Sequence, residues 1–337
     1  MKVGIIGCGA IARKAHIPAY RSSGVDIIAV ADTNERRARS CARKFKVKNW
    51  YTDYTALLNE DPDLVSICTP PSTHREIAVN AAKAGASVLV EKPMTTSLED
   101  ADRMLDTCRN SGVKLCVVQN YRFFPCVLEA KKRLEDGRIG DIVSLHAIEH
   151  DFLDEMDTSW RYEKWGILED LGPHVIDIIN FLFNSSLDDV KVVARDYTGT
   201  LNCLSHVQAL LLLKNKACAD IDLSWMTGAY EFSVQILGTA GTIQIDVRNN
   251  SLREIHGYTT PLEDLRATIG KSATIGRAVL NRSYFRGALH YHAAIIAKFL
   301  ESINNGTDPP VTGEEGRAVV SVIDSIKKAI TTSRSSD

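Results

Sequence analysis

No charge of either sign dominates this chain, and no apolar run in it is long enough to cross a bilayer. Its 337 residues hold 40 Lys and Arg against 42 Asp and Glu, a formal net charge of −2. Such a balance offers no global attraction to nucleic acid or to a membrane surface. A spanning helix needs about 18 or more consecutive apolar residues, and no run here approaches that. Cys-x-x-Cys spacing and Cys/His clusters are missing too. The cysteines at 8, 41, 68, 108, 116, 126, 203 and 218 are scattered, as expected for reduced, partly buried thiols in a cytoplasmic protein. Internal repeats and low-complexity tracts are absent. Val3 to Ala12 superficially resembles a signal peptide, but three glycines interrupt it and Arg13-Lys14 follow, so it reads as part of the fold.

What is present is ordinary for a globular chain: 45% hydrophobic and 24% charged residues. At about 150 residues per domain the length implies two domains. Short apolar runs at Val3–Ile6, Ile27–Val30, Leu64–Ile67, Ser87–Val90 and Leu115–Val118 alternate with helix-period stretches at Ile11–Arg21, Glu35–Phe45, His74–Ala84 and Leu98–Asn110. That alternation predicts an α/β, doubly wound parallel sheet. After Pro125 one helix leads into longer alternating segments between Val143 and Val247, broken by a helix at His174–Phe183. These predict an α+β region with a mostly antiparallel, open sheet covered on one face. Two further helices are expected at Tyr291–Asn304 and Gly313–Thr331, and a frayed tail after them.

The first run is followed by Gly7-Cys8-Gly9-Ala10-Ile11-Ala12, a G-x-G-x-x-A sequence between a strand and a helix. Gly7 permits the tight turn, Gly9 lets backbone approach a pyrophosphate, and Ala12 lets the helix pack closely on the sheet. The N–H groups at the helix start, from Ala10 and Ile11, then face the phosphates. Asp32 follows the second run, where a ribose-binding acid is expected, and would repel a 2′-phosphate. NAD is therefore favoured, with NADP kept open by Arg36 and Arg37 nearby. These features define a Rossmann domain.

Glu91-Lys92-Pro93 follows directly on Ser87–Val90. Ligands of such sheets bind outside the carboxyl ends of the strands, so Lys92 is aimed at a ligand. Pro93 restricts its backbone. The segments Thr69-Pro-Pro-Ser-Thr-His74, Ala81-Ala-Lys-Ala-Gly85 and Val88-Leu-Val-Glu-Lys-Pro93 resemble the Gfo/Idh/MocA oxidoreductase family, which includes glucose–fructose oxidoreductase and inositol dehydrogenase. The resemblance continues through Asn120-Tyr-Arg-Phe123 with Pro125, and through Gly166-Ile-Leu-Glu-Asp-Leu-Gly-Pro-His174 with Asp177. It implies an NAD(P)-binding domain over 1–122 and a substrate-binding and oligomerisation domain over 123–337. It implies that Lys92, Asp170 and His174 are catalytic. Thr69, Pro70 and His74 would approach the cofactor's ribose and diphosphate, and Glu91, Lys92 and Asn120 its nicotinamide end. Arg122, Trp160 and Arg161 would join Lys92, Asp170 and His174 around the substrate. A cis Lys92–Pro93 peptide is also implied. Two departures stand out: Lys164-Trp165 where the family often has glycines, and Tyr121 where arginine is common.

Alcohol oxidation with NAD needs a base that titrates near neutral pH, which histidine supplies. His174 follows Pro173 in a first helical turn, and Asp170 precedes it by four residues. His174 is read as exchanging the proton, Lys92 as polarising the substrate oxygen and Asp170 as positioning them. The division between Lys92 and His174 is open to reversal. Asp177 supports His174 or binds substrate. The expected activity is an NAD(P)-dependent dehydrogenase acting on a CH–OH group of a sugar, polyol or nucleotide-sugar. The alternatives are an NAD-dependent glycosidase and a non-catalytic dinucleotide-binding regulator. No metal is expected: His146 and His150, with Asp151 and Asp154 following, read as one exposed strand face. A homodimer or homotetramer through the open sheet is expected. Arg266, Lys271, Arg277, Arg282, Arg286 and Lys298, in a stretch without acidic residues, form either a solvated segment or an anion-binding loop, and His290 and His292 follow as candidate pocket residues.

Overall fold

A computed structural model of the chain describes residues 1–152, 164–195, 203–257 and 289–334. By contacts the chain forms two compact units, Met1–Asn120 with Ala288–Val320, and Tyr121–Gly287 with Ser321–Asp337. A single division at 122/123 assigns Ala288–Val320 to the second segment, whereas contacts group it with the first unit.

The first unit carries a six-stranded sheet of β1 (Lys2–Ile6), β2 (Asp26–Ala31), β3 (Asn49–Tyr51), β4 (Leu64–Ile67), β5 (Ser87–Val90) and β6 (Leu115–Val117), in the order β3-β2-β1-β4-β5-β6. Every pairing is parallel. All residues of β4 and β5 are buried, which is why both read as unbroken apolar runs rather than as an alternation. The helices α1 (Ile17–Ser22), α2 (Glu35–Phe45), α3 (Tyr54–Leu58), α4 (His74–Lys83) and α5 (Leu98–Asn110) supply the cover. Asn34 caps α2 by accepting from the Arg37 N–H, and Ser97 caps α5 by accepting from the Asp100 N–H. The single helix expected over Ile11–Arg21 is a wide π turn, Ala12–His16, running into α1. Pro18 accounts for the break: it has no N–H to return to the carbonyl four residues back, so the regular ladder cannot run through it. β3 and α3, at three and five residues, are too short to show a period and were not legible.

In the second unit, α6 (Pro125–Glu135), α7 (Gly166–Asp170) and α8 (Gly172–Phe183) accompany a seven-stranded sheet. Its strands are β7 (Ile142–His150), β8 (Leu187–Arg195), β9 (His206–Leu213), β10 (Cys218–Ser224), β11 (Glu231–Gly238), β12 (Thr242–Asp246) and β13 (Ser251–Ile255), in the order β13-β12-β11-β7-β10-β9-β8. Pairing is antiparallel except between β7 and β10, which run parallel. Burial alternates strictly along β9. Leu145, Ala147, Val207, Ala209, Ile221 and Phe232 face the covering helices, and α6 and α8 pack on that side. Val193, Leu210 and Leu212 lie on the exposed face. The chain closes with α9 (Leu289–Asn305) and α10 (Gly313–Arg334). α9 packs on α1 and the wide turn, through buried residues such as Ile295, Ile296 and Phe299. No described helix is long and apolar enough to cross a membrane.

Candidate active-site groups in each unit

The G-x-G turn leaves β1 at the carboxyl end of the first sheet. Gly7 has φ +92, and a Cβ there would stand 2.5 Å from the Cys68 carbonyl oxygen, so no side chain fits. Around Gly9 a Cβ would meet nothing within 4 Å, which leaves open space over the turn for a ligand's phosphates. Asp32 braces the same turn. Its Oδ2 accepts from the Cys8 N–H at 2.8 Å and its Oδ1 from the Asn34 N–H at 2.8 Å. The carboxylate is held facing the glycine turn with acceptor capacity left, as recognition of a ribose diol requires. Arg36 and Arg37 are exposed on the first turn of α2. The cradle therefore fits a dinucleotide by the room at Gly9 and by the placement of Asp32.

Two further turns follow β4 and β5 on the same sheet edge. Thr69 and Pro70 open the first, where the Thr73 hydroxyl reaches both Thr69 Oγ1 and the Pro70 carbonyl at 2.8 Å. His74 ties this turn to the next. Its Nε2 lies 2.9 Å from the Thr69 carbonyl and its Nδ1 3.0 Å from the Pro93 carbonyl. The ring has no exposed surface. Burial pushes its pKa down, against the carbonyl contacts that raise it. The Lys92–Pro93 peptide is cis.

Glu91, buried, turns its carboxylate inward. Oε1 lies 2.7 Å from His16 Nε2 and 3.3 Å from His292 Nε2, and Oε2 accepts from the Lys92 N–H at 3.2 Å. Burial alone would raise the Glu91 pKa, but the hydrogen bonds and electrostatic attraction of His16 and His292 together outweigh it and hold the group well below the usual carboxylate range. Burial is the largest influence on His16 and lowers its pKa despite the nearby carboxylate. Asn120, also buried, places Nδ2 3.4 Å from His292 Nδ1. His16 carried no motif in the sequence. Its position four residues after Ala12 in a helical stretch, on the side facing the sheet, was the one available signal.

In the second unit, Asp170 ends α7 and His174 stands in the first turn of α8, behind Pro173. Both are buried. Gly166 opens α7 at φ +37 with the Leu204 carbonyl oxygen 2.4 Å from where a Cβ would be, so the turn into the Asp170 segment demands glycine. The His174 ring meets Tyr121 edge-on at 4.3 Å, and Tyr121 stacks on Phe124 and meets Phe232. Tyr121, in the place where arginine is common, is thus part of an aromatic wall, and burial raises its hydroxyl's pKa well above the ordinary value. Arg122 grips Asp177 through two N–H groups: Nε donates to Oδ2 at 2.9 Å and an Nη donates to Oδ1. The pair is enclosed, and the guanidinium lies over Phe181. Lys327 pairs with Glu169 and lies over Trp165, which also carries Lys164 on its face. His150 Nε2 is 3.2 Å from Asp222 Oδ1 on the sheet face. Trp160, Arg161 and Asp154 fall outside the described residues, as does the basic stretch up to residue 288.

Known proteins show the same two parts. The oxidoreductase family with an NAD-binding Rossmann fold matches residues 1–119, and the GFO/IDH/MocA C-terminal domain matches 127–244. A D-apiose dehydrogenase of Paraburkholderia graminis is 35% identical over 188 residues, 54% of this chain and 49% of that protein. The alignment thus spans about half that relative's length. A myo-inositol 2-dehydrogenase of Thermotoga maritima is 26% identical over 350 residues, covering 99% of this chain and 98% of the relative. The fold matches that of the WlbA dehydrogenase of Bordetella pertussis in complex with NADH and UDP-GlcNAcA, with a TM-score of 0.82 and 22% identity over 97% of this chain and 95% of the other. With the glycine turn, Asp32, the Lys92 turn and the mixed sheet in place, and with both domains matched, the chain belongs to the GFO/IDH/MocA oxidoreductase family.

Proposed function

We propose that this protein is an NAD-dependent dehydrogenase that oxidises a secondary hydroxyl of a sugar, polyol or nucleotide-sugar, or reduces the matching ketone. The observation that carries the reading is the placement of Lys92. It leaves β5 at the sheet edge where the glycine turn and Asp32 form the dinucleotide cradle, and His74 fastens its turn to the neighbouring one. The relatives named for D-apiose and myo-inositol support a polyhydroxylated substrate. Asp32 supports NAD over NADP, because its carboxylate would repel a 2′-phosphate.

The glycine turn and Asp32 would hold the dinucleotide, which would supply the hydride acceptor or donor for the carbinol carbon. Lys92 donates a hydrogen bond to the reacting oxygen and stabilises its developing negative charge. His174 exchanges the hydroxyl proton, and Asp170 orients the hydroxyl and the imidazole. Arg122, holding Asp177 on α8, keeps the helix that presents His174 in place. The open face of the second sheet, which exposes Val193 on β8 and Leu210 and Leu212 on β9, supports pairing of copies there. Light scattering on the wild type and on Leu210→Lys checks that part.

The deciding experiment is a screen of sugars, polyols and nucleotide-sugars for reduction of NAD and, separately, of NADP. Net NADH formation with at least one of them is expected. Substrate consumption without net cofactor reduction would point to a glycosidase instead. Cofactor binding with no turnover in either direction on any of them would leave a regulator.

A further inference from the structure

Three buried side chains from distant parts of the first unit meet behind the Lys92 turn. His16 ends the wide turn after β1, Glu91 follows β5, and His292 lies in the first turn of α9. They are 0%, 7% and 5% exposed. The outer nitrogens of both rings are also engaged: His16 Nδ1 lies 2.8 Å from Ser66 Oγ and His292 Nδ1 3.4 Å from Asn120 Nδ2.

One protonation pattern accommodates all of these contacts. Both rings are neutral and carry the proton on Nε2. Each Nε2–H donates to Glu91 Oε1, and each Nδ1 accepts, one from the Ser66 hydroxyl and one from the Asn120 amide. Glu91 stays ionised, and its second oxygen holds the Lys92 N–H. Two imidazoles and a carboxylate also form a possible metal set, and their ligand atoms lie within 4.8 Å of one another. Geometry favours hydrogen bonding. Ligands about 2.0–2.1 Å from a tetrahedral ion stand about 3.3 Å apart, whereas His16 and Glu91 approach to 2.7 Å.

We propose that His16 and His292 are positioning residues for Lys92. They clamp Glu91 as a fixed buried anion, and Glu91 in turn fixes the backbone from which the Lys92 side chain departs. Without the two donors a carboxyl group in this enclosure loses what keeps it ionised and oriented. The Lys92 turn then keeps the cis peptide and the His74 brace but loses its hold on the Lys92 N–H. The effect reaches the reacting atoms only through Lys92, so the inference rests on the proposed role of that lysine.

The test is made on the full chain, with a substrate found by the screen. His292→Leu is expected to lower kcat about 10–100-fold, the size of effect that a small misplacement of a reacting group produces. NADH affinity, read by fluorescence titration, should be unchanged. His292→Gln, which keeps an amide donor, should recover most of kcat. In a Lys92→Ala background His292→Leu should add no further loss. An unchanged kcat in His292→Leu beside an inactive Lys92→Ala would overturn the clamp and leave the role of Lys92 standing. A fully active Lys92→Ala would overturn that role itself. Nitrogen-15 spectra of the imidazoles in the unaltered, cofactor-free protein provide a readout that needs neither turnover nor a variant. Protonated Nε2 and bare Nδ1 are expected for both buried rings. Protonated Nδ1 in both rings, or stoichiometric zinc in the purified protein, would overturn the arrangement.

Discussion

Near the proposed catalytic groups, Glu91 in the first unit and Asp177 in the second are both buried carboxylates, yet their surroundings differ. Glu91 is held by two imidazoles and a backbone N–H, Asp177 by a bidentate guanidinium. In the proposed pattern the two imidazoles hold the carboxylate without burying a second charge, so losing one of them costs about as much as a hydrogen bond. A buried cation is different: removing its anion strands a charge that cannot reach water. The sheets differ in the same sense. The parallel sheet is covered on both sides, and its candidate residues sit on turns at one edge. The second sheet is covered on one side only, and its candidate residues sit where α7 meets α8. One unit therefore tolerates little change in backbone path, and the other little change in charge.

The largest expected effect is at Lys92, the residue of the first unit proposed to touch the reacting oxygen. Lys92→Ala should lower kcat by about 10³–10⁴-fold while NADH binding, followed by fluorescence, stays within about twofold. Near-normal turnover would remove the reason for singling out that turn. Next in size is the ion pair. Asp177→Ala should destabilise the protein by about 3–5 kcal/mol, measured by denaturant unfolding, and Glu91→Gln by about 1–3 kcal/mol. The reverse order would break the contrast between the two carboxylates. Gly7→Ala should cost about 1–3 kcal/mol and abolish NADH binding, because the added methyl meets the Cys68 carbonyl.

The smallest effect is in the pH dependence of stability. Burial lowers the pKa values of His16 and His74 below the ordinary 6.5. The unfolded chain therefore takes up protons below pH 6.5 that the folded chain refuses. Their stabilising contribution is complete above that pH and is lost as the pH falls toward the folded values. The melting temperature should drop on acidification through this window, and His16→Gln should make the drop shallower. An equally steep drop in that variant would show that His16 is not among the groups responsible.

Much of the first unit was legible because its signals are local. Five of its strands were bounded to within a residue, since unbroken apolar runs between turn residues have few other fates. Gly7, Gly9 and Asp32 were placed by their spacing around β1 and β2. In the second unit the alternation along β9 and β11 gave away a one-faced sheet. Neither its strand order nor the parallel pairing of β7 with β10 could be read, because nothing local distinguishes one neighbour from another. β13 was missed, since none of its residues is deeply buried.

The amino-acid sequence alone determined the class of fold, the dinucleotide turn and the lysine at the end of β5. Each depends on the conformational limits of a few adjacent residues and on apolar periodicity. Only the tertiary structure decided what surrounds them. It brought His16 and His292 to Glu91 across long stretches of chain, assigned Arg122 to Asp177, and returned Ala288–Val320 to the first unit. A buried polar group must find its partner wherever packing brings one within hydrogen-bond reach, and that choice is made in space rather than along the chain.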